Sequence, residues 1–164
     1  MGVFEVTGGK KLKGEIIPQG AKNEALQVIS AVLLTAEKVT INNIPDIIDV
    51  NLQIELLEDL GVTVERIDRH ACIFQADRVD VNYLSSPAFR KKTGRLRGSV
   101  MLAGPMLSRF KKAYVPKPGG DKIGRRRLDT HIIGFKKLGA RFDYDSDESF
   151  FHLHTSQLKG TYLL

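Results

Sequence analysis

Two periodicities take turns along this chain. Short runs with apolar residues at every second position predict strands; longer stretches with apolar residues every three or four positions predict helices. The first strands are expected over 3–6 and 14–17, followed by a helix over 23–34 with Leu26, Ile29, Ala31, Val32 and Leu33 on one broad face. A strand over 39–44 follows. Asp46 or Asp49 can cap a second helix, in which Leu52, Leu56, Leu57 and Leu60 recur before Gly61 ends it. Strands over 62–67 and 72–75 then flank a turn at Asp68-Arg69.

The second half reads in the same order. Residues 96–107 are helix-like, interrupted by Gly104-Pro105, and residues 113–115 form a short strand. A loop covers 116–124, a helix covers 128–138 up to Gly139, and strands close the stretch at 140–144 and 150–153. Leu60-Gly61-Val62 returns as Leu138-Gly139-Ala140, 78 residues later, and Ile41 matches Val115. Leu12-Lys13-Gly14 returns as Leu158-Lys159-Gly160. The pattern is an α/β chain of the α+β type, with βαβαββ-like units at about 21–78 and 90–155 and the start of a third at 158–164.

Composition narrows the class. A hydrophobic share of 42% over 164 residues can build a core and argues against wholesale disorder. No apolar run reaches the 18 or so residues that span a bilayer, and the opening residues lack the apolar stretch of a signal peptide. One cysteine, Cys72, makes no internal disulfide. A cytoplasmic protein with no membrane partner is expected.

Charge changes the picture more. The net charge of +6 conceals a basic stretch over 90–127, where thirteen Lys and Arg face a single acid, Asp121, for +12. The remainder, with twelve bases and eighteen acids, carries −6. So uneven a distribution calls for an anionic partner. Helix N-termini favour acids, yet Arg125, Arg126 and Arg127 crowd the start of the helix at 128, which suits an anion site. Lys22 stands at the start of the helix at 23; taken alone, it reads as a solvated lysine.

The loop Pro116-Lys117-Pro118-Gly119-Gly120-Asp121-Lys122-Ile123-Gly124 combines stiff stems with glycines that let a ligand approach the backbone. It fits neither the P-loop nor the dinucleotide fingerprint. From spacing alone Asp121 pairs with Lys122 or Arg125. His152 and His154 share a strand face but lack a third ligand, so no metal is expected. Cys72 reads as packing, and the position of His131 beside Asp129 does not decide between chemistry and structure. Few aromatics interleave the basic stretch, which weakens a nucleic-acid reading.

Gly20-Ala21-Lys22-Asn23, Ile44-Pro45-Asp46, Leu60-Gly61, Arg97-Gly98-Ser99 and Gly104-Pro105 resemble motifs of the UDP-N-acetylglucosamine 1-carboxyvinyltransferase family. The resemblance is tightest from Pro118 through Gly119-Gly120-Asp121 to Asp129, and it covers essentially the whole chain. It implies the inside-out α/β barrel of the enolpyruvyl transferases, incomplete here. Residues 1–20 would pack on the other domain and 21–164 would be part of one domain. The implied activity transfers the enolpyruvyl group of phosphoenolpyruvate to the 3′-hydroxyl of UDP-N-acetylglucosamine, releasing phosphate, as the first committed step of peptidoglycan synthesis, without a cofactor.

By the same resemblance Lys22 contacts phosphoenolpyruvate and Asn23 sits at the substrate junction. Arg97 and Arg126 meet the anionic substrates, and Arg126, Arg127, Leu128, Asp129 and Thr130 line the nucleotide sugar. Asp121 occupies the lid position that is cysteine in most members, where it is the proposed acid toward the methylene carbon; fosfomycin resistance follows from that exchange. The base for the sugar hydroxyl lies in a C-terminal half that this chain lacks, so the chain alone is expected to be inactive. Two other readings stand beside this one: a basic nucleic-acid-binding module, and a non-catalytic domain acting through a partner chain.

Overall fold

The computed structural model describes residues 2–116, 127–146 and 150–162. Helix α1 (Lys22–Ala31) runs into a 3₁₀ turn (Val32–Leu34) and then strand β1 (Lys38–Ile41). Helix α2 (Ile48–Asp59) precedes the hairpin of β2 (Thr63–Asp68) and β3 (Ala71–Gln75). After a 3₁₀ turn (Val81–Ser85), α3 (Pro87–Thr93) and another 3₁₀ turn (Arg97–Leu102), the order resumes with α4 (Ala103–Phe110) and β4 (Lys112–Pro116). Helix α5 (Asp129–Lys137), β5 (Arg141–Asp145) and β6 (Phe150–His154) complete it.

The two sheets share one topology. In the first the strand order is β1-β3-β2 and in the second β4-β6-β5, each central strand antiparallel to both neighbours. Alternation selects the register: Val39 and Val64 both face Phe74, while Ala113 and Phe142 both face Leu153. These inward residues join Leu26, Ile29, Leu57 and Leu107 in one continuous core.

The sequence repeat has a physical cause at the ends of α2 and α5. Gly61 (φ 91°) donates to the Glu58 carbonyl and Val62 to Leu57; Gly139 (φ 95°) donates to Lys136 and Ala140 to Phe135. Both are the paired bonds of a Schellman cap, which needs a left-handed residue at the glycine position. The repeated Leu-Gly step therefore encodes the same helix exit into the same hairpin.

Three expectations change, and one helix had none. Residues 3–6 and 14–17 form no strands: no strand among the described residues pairs with them, and Phe4, Val6 and Ile16 stand 96%, 90% and 89% exposed. Neither Asp46 nor Asp49 caps α2; its N-cap is Ile47, and the Asp46 carboxylate accepts instead from Asn51 Nδ2 (2.9 Å) and Arg69 Nε (2.5 Å). Gly104-Pro105 does not interrupt a helix but lies in the first turn of α4, where the missing proline N–H costs nothing. Helix α3, capped by Ser86 Oγ accepting from Phe89 N (3.0 Å), lies in a stretch with too few apolar residues to display a period. No closed barrel forms among the described residues, and the architecture is α+β. No helix among them is long and apolar enough to cross a membrane.

Candidate functional site

A cavity of about 360 Å³ opens where the start of α1, the start of α2, the 95–101 segment and the start of α5 meet. Helical spacing presents Asn23, Leu26 and Gln27 from one face of α1, and Leu128 and His131 from one face at the head of α5. Helix α1 begins without a side-chain cap, so its first N–H groups are left to a ligand or solvent.

Close packing brings the walls together. At Gly98 a Cβ would lie 2.9 Å from the Cδ1 of buried Leu26, so a larger residue here would make that side chain shift where the 97–102 turn meets α1. Gly20 is tighter still, since a Cβ there would meet the Asn43 carbonyl oxygen at 2.0 Å. This glycine seats the turn before Lys22 against the segment leading to α2. Beneath α1, Gln53 Nε2 donates to Ser30 Oγ (2.9 Å), which donates to the Leu26 carbonyl (2.6 Å), locking α1 and α2 together.

Among the described residues, the cavity gathers three cations, Lys22, Arg95 and Arg97, against one acid, Asp49. Lys22 and Asp49 form an ion pair, and each side chain keeps over a third of its surface exposed. Asp49 sits in the first turn of α2, where the helix dipole favours a carboxylate. Lys22 thus keeps much of its surface in solvent while pairing with a second residue that lines the cavity.

The residues expected at a site divide into three groups. Lys22, Asn23, Arg97 and Leu128 line the cavity. Arg127, Asp129 and Thr130 are exposed beside it without lining it, and Arg127 Nε pairs with Asp129 Oδ2 at 2.9 Å, which answers part of the charge crowded at this helix start. Asp121 and Arg126, with Arg125 and the 117–124 part of the loop, lie outside the described residues. Sequence reasoning missed Asp49, whose partner lies 27 positions away with no local signal, and Arg95, hidden among the other bases of its stretch. His131, left undecided, stands on the cavity wall.

Elsewhere, His154 Nδ1 lies 3.5 Å from Asp143 Oδ2, and the His152 ring lies tilted against Tyr114 with centroids 4.5 Å apart. No group of three or more His, Cys, Asp or Glu among the described residues could hold a metal ion. Cys72 is buried on β3, and burial pushes its thiol pKa up.

Two α+β units of one topology thus accompany a cavity that Lys22, Arg95 and Arg97 line. The family model for EPSP synthase (3-phosphoshikimate 1-carboxyvinyltransferase) matches residues 6–163, and the chain belongs to that family. It is 57% identical over all 164 residues to UDP-N-acetylglucosamine 1-carboxyvinyltransferases of Porphyromonas gingivalis and Bacteroides fragilis, and spans 38% of their length. The same-named protein of Wolinella succinogenes is 40% identical over 140 residues, 85% of this chain.

Among solved structures, the enolpyruvyl transferase NikO from Streptomyces tendae superposes with a TM-score of 0.72 at 21% identity, covering 92% of this chain and 32% of its own. An EPSP synthase from Acinetobacter baumannii gives 0.62 at 16% identity, covering 94% of this chain and 35% of its own. Both show the fold.

Proposed function

We propose that this chain forms part of an enzyme that transfers the enolpyruvyl group of phosphoenolpyruvate to the 3′-hydroxyl of UDP-N-acetylglucosamine and releases phosphate. The observation that carries the reading is the cavity itself: Lys22 and Asn23 at an uncapped helix start line, together with Arg97, an opening sized for a small-molecule ligand. Identity of 57% to proteins named for this reaction supports the choice of substrates.

In this reading Lys22 neutralises the phosphoenolpyruvate anion and Asn23 hydrogen-bonds at the junction of the two substrates. Arg97 and Arg126 meet the anionic groups, while Arg127, Leu128, Asp129 and Thr130 follow the nucleotide sugar. Asp121, on a lid loop, gives its proton to the methylene carbon of phosphoenolpyruvate as the sugar hydroxyl oxygen attacks the neighbouring carbon. A carboxyl with an ordinary pKa near 3.9 is a weak proton source at neutral pH, so closure of the loop over bound phosphate must raise it. The base that takes the hydroxyl proton comes from the remaining length of the enzyme. Residues 1–20 pack on that remainder, and 21–164 supply two βαβαββ units and the start of a third. The reaction opens peptidoglycan synthesis in the cytoplasm, on which cell shape and division depend.

The test is phosphate release by the whole enzyme that carries this chain. Release should require both substrates and fall at least about 100-fold in Asp121→Asn, the scale of a lost general acid. Fosfomycin should leave the wild-type loop unmodified by mass spectrometry and add to it in Asp121→Cys. Release independent of UDP-N-acetylglucosamine would overturn the substrate assignment. An active Asp121→Asn enzyme would overturn the role of Asp121.

A further inference from the structure

We propose that Arg95 is a specificity-determining residue that takes a phosphate oxygen of the nucleotide diphosphate on the cavity wall. The inference rests on the enolpyruvyl transferase reading above and extends it to a residue outside the resemblance motifs.

The cavity's positive charge is not equally available to a ligand. Lys22 is already paired with Asp49, and Arg97 is also engaged in an interaction within the protein. Arg95 alone of the three lining cations has no side-chain hydrogen bond or ion pair among the described residues. A surface arginine without a partner is ordinarily just solvated. This one differs in its backbone, which is pinned on both sides.

Three buried residues hold the segment. Thr93 Oγ1 donates to the Phe89 carbonyl (2.8 Å), and Ser99 Oγ donates to the carbonyls of Leu96 (2.7 Å) and Thr93 (3.3 Å). Backbone bonds from Arg95 N to Lys92 O (3.0 Å) and Leu96 N to Thr93 O (3.2 Å) tighten the same turn. Leu96, 3% exposed, points into the core, and the residues on either side of it, Arg95 and Arg97, both line the cavity. The Arg95 guanidinium is thus offered from a fixed backbone beside Arg97, so no backbone freedom is lost when an anion binds.

The diphosphate is a ligand group that suits this guanidinium. It has two phosphates, each with unshared oxygens that match the fork of a guanidinium. The smaller acid has Lys22 and Asn23, which line the same cavity from the start of α1. The cavity also carries Leu26, Val100, Met101 and Leu128, apolar surface suited to a nucleotide sugar more than to a three-carbon acid.

The experiment compares Arg95→Gln and Arg95→Lys with the wild type in the whole enzyme. Arg95→Gln should raise KM for UDP-N-acetylglucosamine about tenfold, the worth of one charge-assisted hydrogen bond, and weaken inhibition by UDP by the same factor. The KM for phosphoenolpyruvate and kcat should stay within about twofold, with Arg95→Lys intermediate. An unchanged UDP-N-acetylglucosamine KM, or a rise confined to phosphoenolpyruvate or shared equally by both, would overturn the proposal. Calorimetric binding of UDP to wild type and Arg95→Gln reads the contact without turnover: a weaker variant supports it and equal affinity refutes it. Lack of enolpyruvyl transfer in the wild type would fail the parent reading alone.

Discussion

Arg109 is the structure's strongest test of how its two halves are joined. Its Nη1 reaches three backbone carbonyls of the first half: Leu33 (3.1 Å), Thr35 (2.8 Å) and Ala76 (2.8 Å). The residue itself sits on α4, in the second half, with its guanidinium 4.9 Å from the Phe110 ring centroid. Replacing it with Met keeps the apolar stem but strands those oxygens, which lie where the first 3₁₀ turn and β3 end. Nη1 has only two hydrogens, so two bonds can be fully formed at once. At the lower value for a charged donor, about 1.5 kcal/mol each, they contribute about 3 kcal/mol, and the ring contact adds roughly 0.5 kcal/mol. Against a whole-domain stability of about 5–15 kcal/mol this is a large share. With a urea m-value of about 2 kcal/mol/M, the midpoint of Arg109→Met should fall by about 1.75 M, with m unchanged. Amide exchange should quicken at Thr35, whose N–H bonds the Val32 carbonyl, and along β3. A midpoint within about 0.3 M of wild type would show that solvent satisfies these carbonyls equally well, and the interlock argument would fail.

Two further outcomes follow from the same coordinates. Gly20→Ala forces a methyl onto the Asn43 oxygen and should cost about 2–3 kcal/mol, whereas Gly134→Ala, on α5 with nothing within 4 Å, should gain about 0.5–1 kcal/mol by helix propensity; equal midpoints in urea for the two variants would contradict the close approach. Burial and a hydrogen bond from its hydroxyl to Asp59 Oδ2 (2.9 Å) push the Tyr83 pKa up to about 12. A pKa raised in the folded state gives stability that is complete below about pH 10 and lost as pH climbs from 10 through 12. Stability measured from pH 9 to 11.5 should therefore fall more steeply in wild type than in Tyr83→Phe; parallel curves would remove Tyr83 from the account.

Much of this molecule was legible because its signals are local. Helices α1, α2 and α5 follow from 3.6-residue apolar spacing, and Gly61 and Gly139 mark their exits because only a left-handed residue closes a Schellman cap without strain. The repeat could be read across 78 residues because each copy uses the same cap to enter the same hairpin. Motif resemblance carried the family and the candidates Lys22, Asn23, Arg97 and Leu128, which meet on one cavity although they lie up to 106 positions apart.

Tertiary structure decided the rest. Alternating residues at 3–6 and 14–17 have strand character, yet a strand exists only where another backbone takes its hydrogen bonds, and none among the described residues does. Asp49 and Lys22 become a pair only once Gly20 and the α1–α2 packing bring two helix starts together. In the sequence Arg95 is one base among thirteen; the buried anchors Thr93, Leu96 and Ser99 turn it toward the cavity. Periodicity and caps depend on neighbours within a few residues, so the chain alone determines them. Which charge faces which is set by distances between remote segments, and packing alone fixes those.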